Sequence, residues 1–280
     1  MPERPEVAPL PTLLRLMAAL RDPMRGCAWD VAQTFSSVAP YTLEEAYEVV
    51  DAVARGDMAD MREELGDLLL QVVFHARMAE EAGAFGFDDV ARTIADKLIR
   101  RHPHVFDASG ALLPEGGAGP SSIAVEAQWA AIKAAERRAK GAPEGAGIDP
   151  LGGVALALPA LTRAEKISQR AASYGFDWPD AAEVIGKVRE ETDEVAQALG
   201  QGDPGAVAEE IGDLLFSVAN LARHAGVDPE AALRAGTAKF ERRFRAMAAR
   251  LEEAGRPLPD CDLPAMEAAW NVVKRNERGG

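Results

Sequence analysis

Carboxylates at helical spacing are the residues of this chain best placed to do chemistry. Glu190-Glu191-x-x-Glu194 is followed, after fifteen residues, by Glu210-x-x-Asp213. Residues three and four apart share a helix face, so each group crowds like charges together. Between the groups, Gly200-Gln201-Gly202-Asp203-Pro204-Gly205 reads as a turn. The stretch is therefore expected to be a helix, a turn and a helix running back. At 1.5 Å per residue, both acidic groups should lie roughly 8–9 Å from the turn and face each other. Such crowding costs a few tenths of a kcal/mol per like-charge pair, on the order of 0.3. A hard divalent cation offsets that cost, because Mg²⁺ prefers carboxylate oxygens and keeps positions open for water and phosphate. One such cluster on its own reads as a solvated acidic face.

The stretch occurs twice. Glu44-Glu45-x-x-Glu48 is followed, again after fifteen residues, by Glu64-x-x-Asp67, and each position lies 146 residues before its counterpart. Glu-(Leu/Ile)-Gly-Asp-Leu-Leu recurs at 64–69 and 210–215, and Ala-Arg at 76–77 and 222–223. A repeat at fixed offset indicates one unit duplicated. The expected organisation is a first unit over 8–140, a linker over 141–153 and a second unit over 154–280.

The elements that must position these acids are helices. The chain has 280 residues, 48% of them apolar, and no period-two alternation, which reads as two all-α helical bundles. A helix is expected over 10–21. Arg25 to Asp30 reads as a loop carrying Trp29. Thr42 and Glu45 form a capping-box pattern at the start of the first acidic helix, which would run to about Arg55. The next helix carries Glu63, Glu64 and Asp67, with Leu68, Leu69, Val72 and Val73 as core and His75 as a structural residue. A helix through Lys97 and Arg101 should end near Pro103, and Asp107–Ser122 is Gly/Pro-rich loop. The second unit opens with a helix near Pro159–Ala172, and Tyr174–Pro179 forms a loop whose Trp178 matches Trp29. Gly255–Pro264 is a further loop.

Three signals recur in the same order in both units: the acidic hairpin, a Lys-x-x-x-Arg pair (Lys97 and Arg101; Lys239 and Arg243), and a Glu-x-x-Trp-x-x-x-Lys stripe (Glu126, Trp129 and Lys133; Glu267, Trp270 and Lys274). Carboxylates suit Mg²⁺, two cations suit phosphate oxygens, and an indole offers a flat face or an N–H. Together they suit a nucleoside triphosphate. Separately, each reads as a solvated face or core packing.

The net charge of −14 excludes the basic footprint of a general nucleic-acid binder. Cys27 and Cys261 form no motif and fit a reducing cytoplasm. No apolar run approaches the ~20 residues that span a membrane, and the acidic, Pro-rich N-terminus does not resemble a signal peptide. His102 and His104 flank Pro103 in poor ligand geometry. The absence of Glu-x-x-His argues against a di-iron carboxylate bundle.

With EExxE, a spacer and ExxD in an all-α chain, the sequence resembles the MazG family of nucleoside triphosphate pyrophosphohydrolases. Arg100-Arg101-His102-Pro103-His104-Val105-Phe106 and Lys239-Phe240-Glu241-Arg242-Arg243-Phe244 add to the resemblance, which covers nearly the whole chain in two tandem units. It implies hydrolysis of NTPs and dNTPs to a monophosphate and pyrophosphate as a nucleotide-pool or house-cleaning activity. It also implies a Mg²⁺ requirement with Mn²⁺ as substitute, a helical-bundle fold and a homodimer. By that motif Glu191, Glu194, Glu210 and Asp213 hold metal, and Lys187, Glu190, Lys239, Arg243 and Trp270 contact nucleotide; Lys274, four residues after Trp270, offers the nucleotide a further cation. In the first unit the motif falls on Glu45, Glu48, Glu64, Asp67, Lys97, Arg101 and Trp129. Tyr41 stands there where the second unit has Lys187. A carboxylate left free by the metal, Glu190 or Glu209, would act as general base. The rival readings are a non-catalytic protein that senses nucleotides or an alarmone, and a purely structural helical dimer.

Overall fold

The computed structural model describes residues 8–114 and 149–278 and, between them, Ser121, Ala124, Val125, Gln128, Trp129, Ile132, Ala135 and Glu136. Glu126, Lys133, most of the expected linker and the first seven residues lie outside the described residues. The chain divides into two compact units, Met1–Gly141 and Ala142–Gly280. The described structure is helical, and its one β feature among the described residues is an isolated bridge between Phe106 and Leu112.

The first unit contains α1 (Pro9–Leu20), the short α2 (Ala28–Ala32), α3 (Phe35–Arg55), α4 (Met58–Glu81) and α5 (Phe87–Arg101). The second contains α6 (Ala160–Ala172), α7 (Ala181–Gln201), α8 (Pro204–His224), α9 (Pro229–Glu253), a 3₁₀ turn (Leu258–Asp260) and α10 (Leu263–Arg278). Two antiparallel hairpins, α3–α4 and α7–α8, are the largest helix pairings. In the first unit α1 and α5 pack on α4; in the second, α6 packs on α8, and α9 touches α6, α8 and α10.

Both hairpins turn on the same two residues. Gly56 (φ 69°) and Gly202 (φ 70°) end α3 and α7 in the left-handed conformation that glycine adopts without penalty. The next residue is the N-cap of the returning helix. The Asp57 carboxylate accepts from the Ala59 and Asp60 amides, and Asp203 from those of Gly205 and Ala206. The turn is therefore two residues long, and Gly200 and Gly205 belong to helices. Glu48 and Glu64 each stand eight residues from Gly56, as Glu194 and Glu210 do from Gly202. Symmetry about the glycine brings them face to face about 12 Å from the turn, rather than 8–9 Å.

The structure corrects three further expectations. α3 begins at Phe35, where Thr34 and Ser37 form the capping box. Thr42 is inside the helix, its hydroxyl near the Val38 carbonyl and 3.2 Å from His75 Nε2. Pro40 also lies within α3. Trp29 lies on α2 rather than in a loop. Leu69 and Val72 are exposed, and the core of this unit is Met17, Val38, Val73, Phe74 and Met78. Burying side chains of this kind stabilises by about 1.5–3 kcal/mol each.

Candidate functional site

On α7, Lys187, Glu191 and Glu194 recur at i, i+4 and i+7, one stripe facing α8. Carboxylate oxygens of Glu191, Glu194 and Glu210 all lie within 4.8 Å of one another. Glu191 is only 4% exposed, which is rare for a carboxylate without a partner. Its partner is Lys187, whose Nζ sits 2.8 Å from Glu191 and 2.9 Å from Glu190. Those two carboxylates push the Lys187 pKa up. The Glu194 carboxyl is raised by partial withdrawal from water and by Glu191 beside it, while Lys187 pulls the other way. Glu190 and Glu209 are exposed and stand outside the cluster, as does Asp213.

The first unit builds the same cluster. Oxygens of Glu45, Glu48 and Glu64 lie within 4.8 Å of one another. Burial raises the Glu45 pKa first, followed by the charge of Asp67 and the company of Glu48 and Glu64. Glu64 is raised by burial, then by the charges of Glu48, Asp60 and Asp67. Asp67 is exposed but near enough to act on both. Gln71 Nε2 approaches Glu45 at 3.4 Å, and among the described residues no lysine enters the cluster. Three converging carboxylates, two of them held reluctant to ionise, form a donor set that fits a hard divalent cation.

The cationic and aromatic candidates form a separate group in each unit. In the second, Trp270 packs against the core of Met247, Leu251 and Ala269, with its ring 5.4 Å from that of Phe240. Arg243 Nε donates to Glu277 at 2.7 Å, and Arg242 reaches the same carboxylate. Lys239 is exposed and Lys274 half-buried. In the first unit Arg100 and Arg101 both bind Glu136, holding its carboxyl down at about 2, and the Trp129 indole N–H donates to the Arg101 carbonyl. Lys97 is half-buried. Among the described residues, no hydrogen bond or ion pair joins either group to the acids of its hairpin.

The double-arginine clamp on a carboxylate was missed from the sequence. Its signal was present: Glu136 and Glu277 are 141 residues apart, the same offset as Trp129 and Trp270. Also missed was Asp177, whose carboxylate takes both Arg223 and His224 and ties the loop before α7 to the end of α8. Its pKa is lowered, chiefly by Arg223. A cavity of about 600 Å³ between α1, α4 and α5, with Arg15, Arg77 and Arg92 at its wall, is lined by none of the acidic set.

Comparison with known proteins places these residues in a family. The model of the MazG nucleotide pyrophosphohydrolase domain matches residues 33–106 and again 181–247, so both acidic hairpins fall inside it. The chain is 49% identical to the nucleoside triphosphate pyrophosphohydrolase of Escherichia coli K12, covering 95% of this chain and 97% of that one. It is 43% identical to the nucleoside triphosphate pyrophosphohydrolase/pyrophosphatase MazG of Thermotoga maritima, over 94% of each. A shorter match, 42% identical over 56% of this chain and 44% of the other, is to the nucleoside triphosphate pyrophosphohydrolase of Mycobacterium tuberculosis.

Proposed function

This chain belongs to the MazG nucleotide pyrophosphohydrolase family, and from that premise we propose that it hydrolyses nucleoside triphosphates, ribo- or deoxyribo-, to a monophosphate and pyrophosphate. The observation that carries the reading is Glu191, a carboxylate only 4% exposed and gathered with Glu194 and Glu210 on a hairpin inside the family's domain. Mg²⁺, with Mn²⁺ as substitute, is the cation we assign to Glu191, Glu194, Glu210 and Asp213. When bound, it screens phosphate charge and holds the phosphates in place.

The remaining work falls to side chains. With a cation held at Glu191, Lys187 would be free to donate to a phosphate oxygen instead, so one ammonium would serve both states. Water attacks the α-phosphorus, the bond to the α–β bridging oxygen breaks, and pyrophosphate departs. A carboxylate free of the cation accepts the water's proton. Glu190, released as Lys187 moves, and Glu209, exposed beside Glu210, are the candidates. Lys239, Arg243, Lys274 and Trp270 contact the nucleotide away from the cation, with Arg243 exchanging Glu277 for phosphate. Glu45, Glu48, Glu64 and Asp67 hold a second cation and nucleotide in the first unit, with Lys97, Arg101 and Trp129 in the corresponding roles.

Two copies of the chain pair through the hairpins. Leu65, Leu69 and Val72 form an exposed stripe at i, i+4 and i+7, and Ile211, Leu215 and Val218 repeat it 146 residues on. Apolar stripes of this kind are what helix-to-helix packing buries. No helix among the described residues is long and apolar enough to cross a membrane. The free thiols of Cys27 and Cys261 suit the cytoplasm, where we place the protein.

Product analysis tests the reaction. Each NTP and dNTP is incubated with the protein and Mg²⁺, and products are separated by anion exchange. Monophosphate and pyrophosphate are expected, and their formation should fall by about 10²-fold or more in Glu191→Gln. Diphosphate and orthophosphate would overturn the assigned bond cleavage, and bound but unturned nucleotide would favour a sensor.

A further inference from the structure

We propose that Trp29 and Tyr41 form a nucleobase platform beside the first unit's acidic cluster, so that this unit reads its nucleotide through the base where the second unit engages phosphate. The inference rests on the reading that Glu45, Glu48 and Glu64 hold a cation–nucleotide complex. Tyr41, Glu45 and Glu48 recur at i, i+4 and i+7 on α3, so the phenol ring stands on the acidic stripe, one helical turn (about 5.4 Å) N-terminal to Glu45. This is the position that Lys187 occupies in the second unit. Tyr41 meets Trp29 of α2, ring centroids 6.1 Å apart and planes inclined at 68°.

The two rings therefore make a corner: a base laid on the face of one meets the other at its edge. Both remain open to solvent, with Trp29 53% and Tyr41 42% exposed. Large rings this wet contribute little to a core, and the core of this unit is assembled without them. Among the described residues nothing accepts from the Trp29 indole N–H, which leaves it available to a base or ribose acceptor. The α2 helix that presents Trp29 is itself anchored: Arg21 donates to the Asp30 carbonyl while binding Glu81, and Gln33 donates to the Trp29 carbonyl. With phosphates at the carboxylates, the base of the same nucleotide extends about a turn away, onto this corner. Stacking of this kind discriminates poorly between bases, because every base has a π-face. The first unit is thus built to accept purine and pyrimidine nucleotides alike, while demanding that a base be present.

The test uses the full chain carrying Glu191→Gln and Glu194→Gln, so that the first unit's acids are the intact set. Calorimetry with Mg²⁺ compares α,β-methylene-ATP, which cannot be cleaved at the scissile bond, with inorganic tripolyphosphate, which has no base. Adding Trp29→Ala or Tyr41→Ala should weaken the nucleotide analogue about tenfold, as loss of a stacking ring does. Tripolyphosphate affinity should stay unchanged, which also reports that the unit remains folded. Tyr41→Phe should retain nucleotide affinity. Equal losses for both probes, or no loss for either, would overturn the platform. If the parent of this series binds neither probe, the underlying reading of the first unit fails, a result separable from failure of the platform.

Discussion

In the second unit Lys187 lies between Glu190 and Glu191; in the first, Tyr41 stands at the same place and leans on Trp29. The two hairpins otherwise share turn, register and three converging carboxylates. One charge problem has thus been left in two states. The second unit carries an internal counter-cation, so its most buried carboxylate is paired before any metal arrives. Among the described residues the first carries none, and Glu45 and Glu64 are both pushed toward the protonated form. The outer faces diverge too. Leu43, Tyr47, Val50 and Val53 are exposed on α3, where α7 has Arg189, Asp193, Ala196 and Leu199. Duplication preserved the geometry that a cation would need and let the surroundings separate. The difference points to a second unit organised for phosphate chemistry and a first unit offering apolar and aromatic surface around the same acids.

The largest effect should come from removing one carboxylate per unit. Glu191→Gln is expected to lower turnover by about 10²-fold or more, since it removes the most buried carboxylate of the set assigned to the cation. Glu45→Gln should lower it far less. Steady-state pyrophosphate release on the two variants measures this, and equal losses would break the comparison. Next in size is Lys187→Met, which removes a charge-assisted hydrogen bond worth about 1.5–3 kcal/mol. The KM for nucleotide should rise by roughly tenfold or more. Tyr41→Met leaves phosphate contacts alone and should not reproduce that rise for inorganic tripolyphosphate binding. If it does, position 41 touches phosphate after all.

The repeat, the all-α class and the pairing of acids across a hairpin were legible because they depend on local spacing. Period 3.6 places 191 beside 194, and a Gly-Asp turn folds 210 back on them. What was not legible depended on context. Thr42 with Glu45 three residues on looked like a capping box, but Thr34 with Ser37 offers the same chemistry upstream of Pro40, whose ring the helix accommodates, and the cap forms there. Leu69 and Val72 looked like core because period alone cannot say whether an apolar stripe meets its own unit or another surface. The Arg-to-carboxylate clamps at Glu136 and Glu277 join residues more than thirty apart, and no local pattern announces such pairs.

The turns should behave identically. Gly56 and Gly202 have φ of 69° and 70°, and a Cβ at either would meet nothing within 4 Å. Gly56→Ala and Gly202→Ala should therefore cost only the backbone strain, about 1 kcal/mol each, in urea unfolding of metal-free protein. A cost at one turn several times that at the other would mean that the hairpins are not equivalent even in their backbone.

The smallest difference should appear in how the metal-free chain responds to acid. Glu45 and Glu64 have folded-state pKa values raised above the ordinary 4.5, and in the second unit Glu194 is raised against the pull of Lys187. A raised carboxyl takes up its proton in the folded state before it does in the unfolded chain. Its charged form therefore weighs against folding at pH 7, and that penalty is relieved as pH falls through the folded value toward 4.5. Carboxyls with lowered values act oppositely: Glu81 with Arg21, Asp177 with Arg223, Glu277 with Arg243, and Glu136 at about 2 stabilise above 4.5 and lose that contribution only on further acidification. With EDTA present, Tm should rise slightly from pH 7 toward 5 and fall below about 4.5. Glu45→Gln with Glu64→Gln should flatten the rise between 7 and 5 more than Glu194→Gln does, because two raised carboxyls outweigh one that already has an ammonium nearby. With saturating Mg²⁺ the rise should vanish, since the cation holds the carboxylates charged and protons then compete with it. An identical slope in both variants would mean that Lys187 does not relieve the second cluster, and the contrast between the units would rest on the Tyr41–Trp29 contact and the apolar outer face of α3.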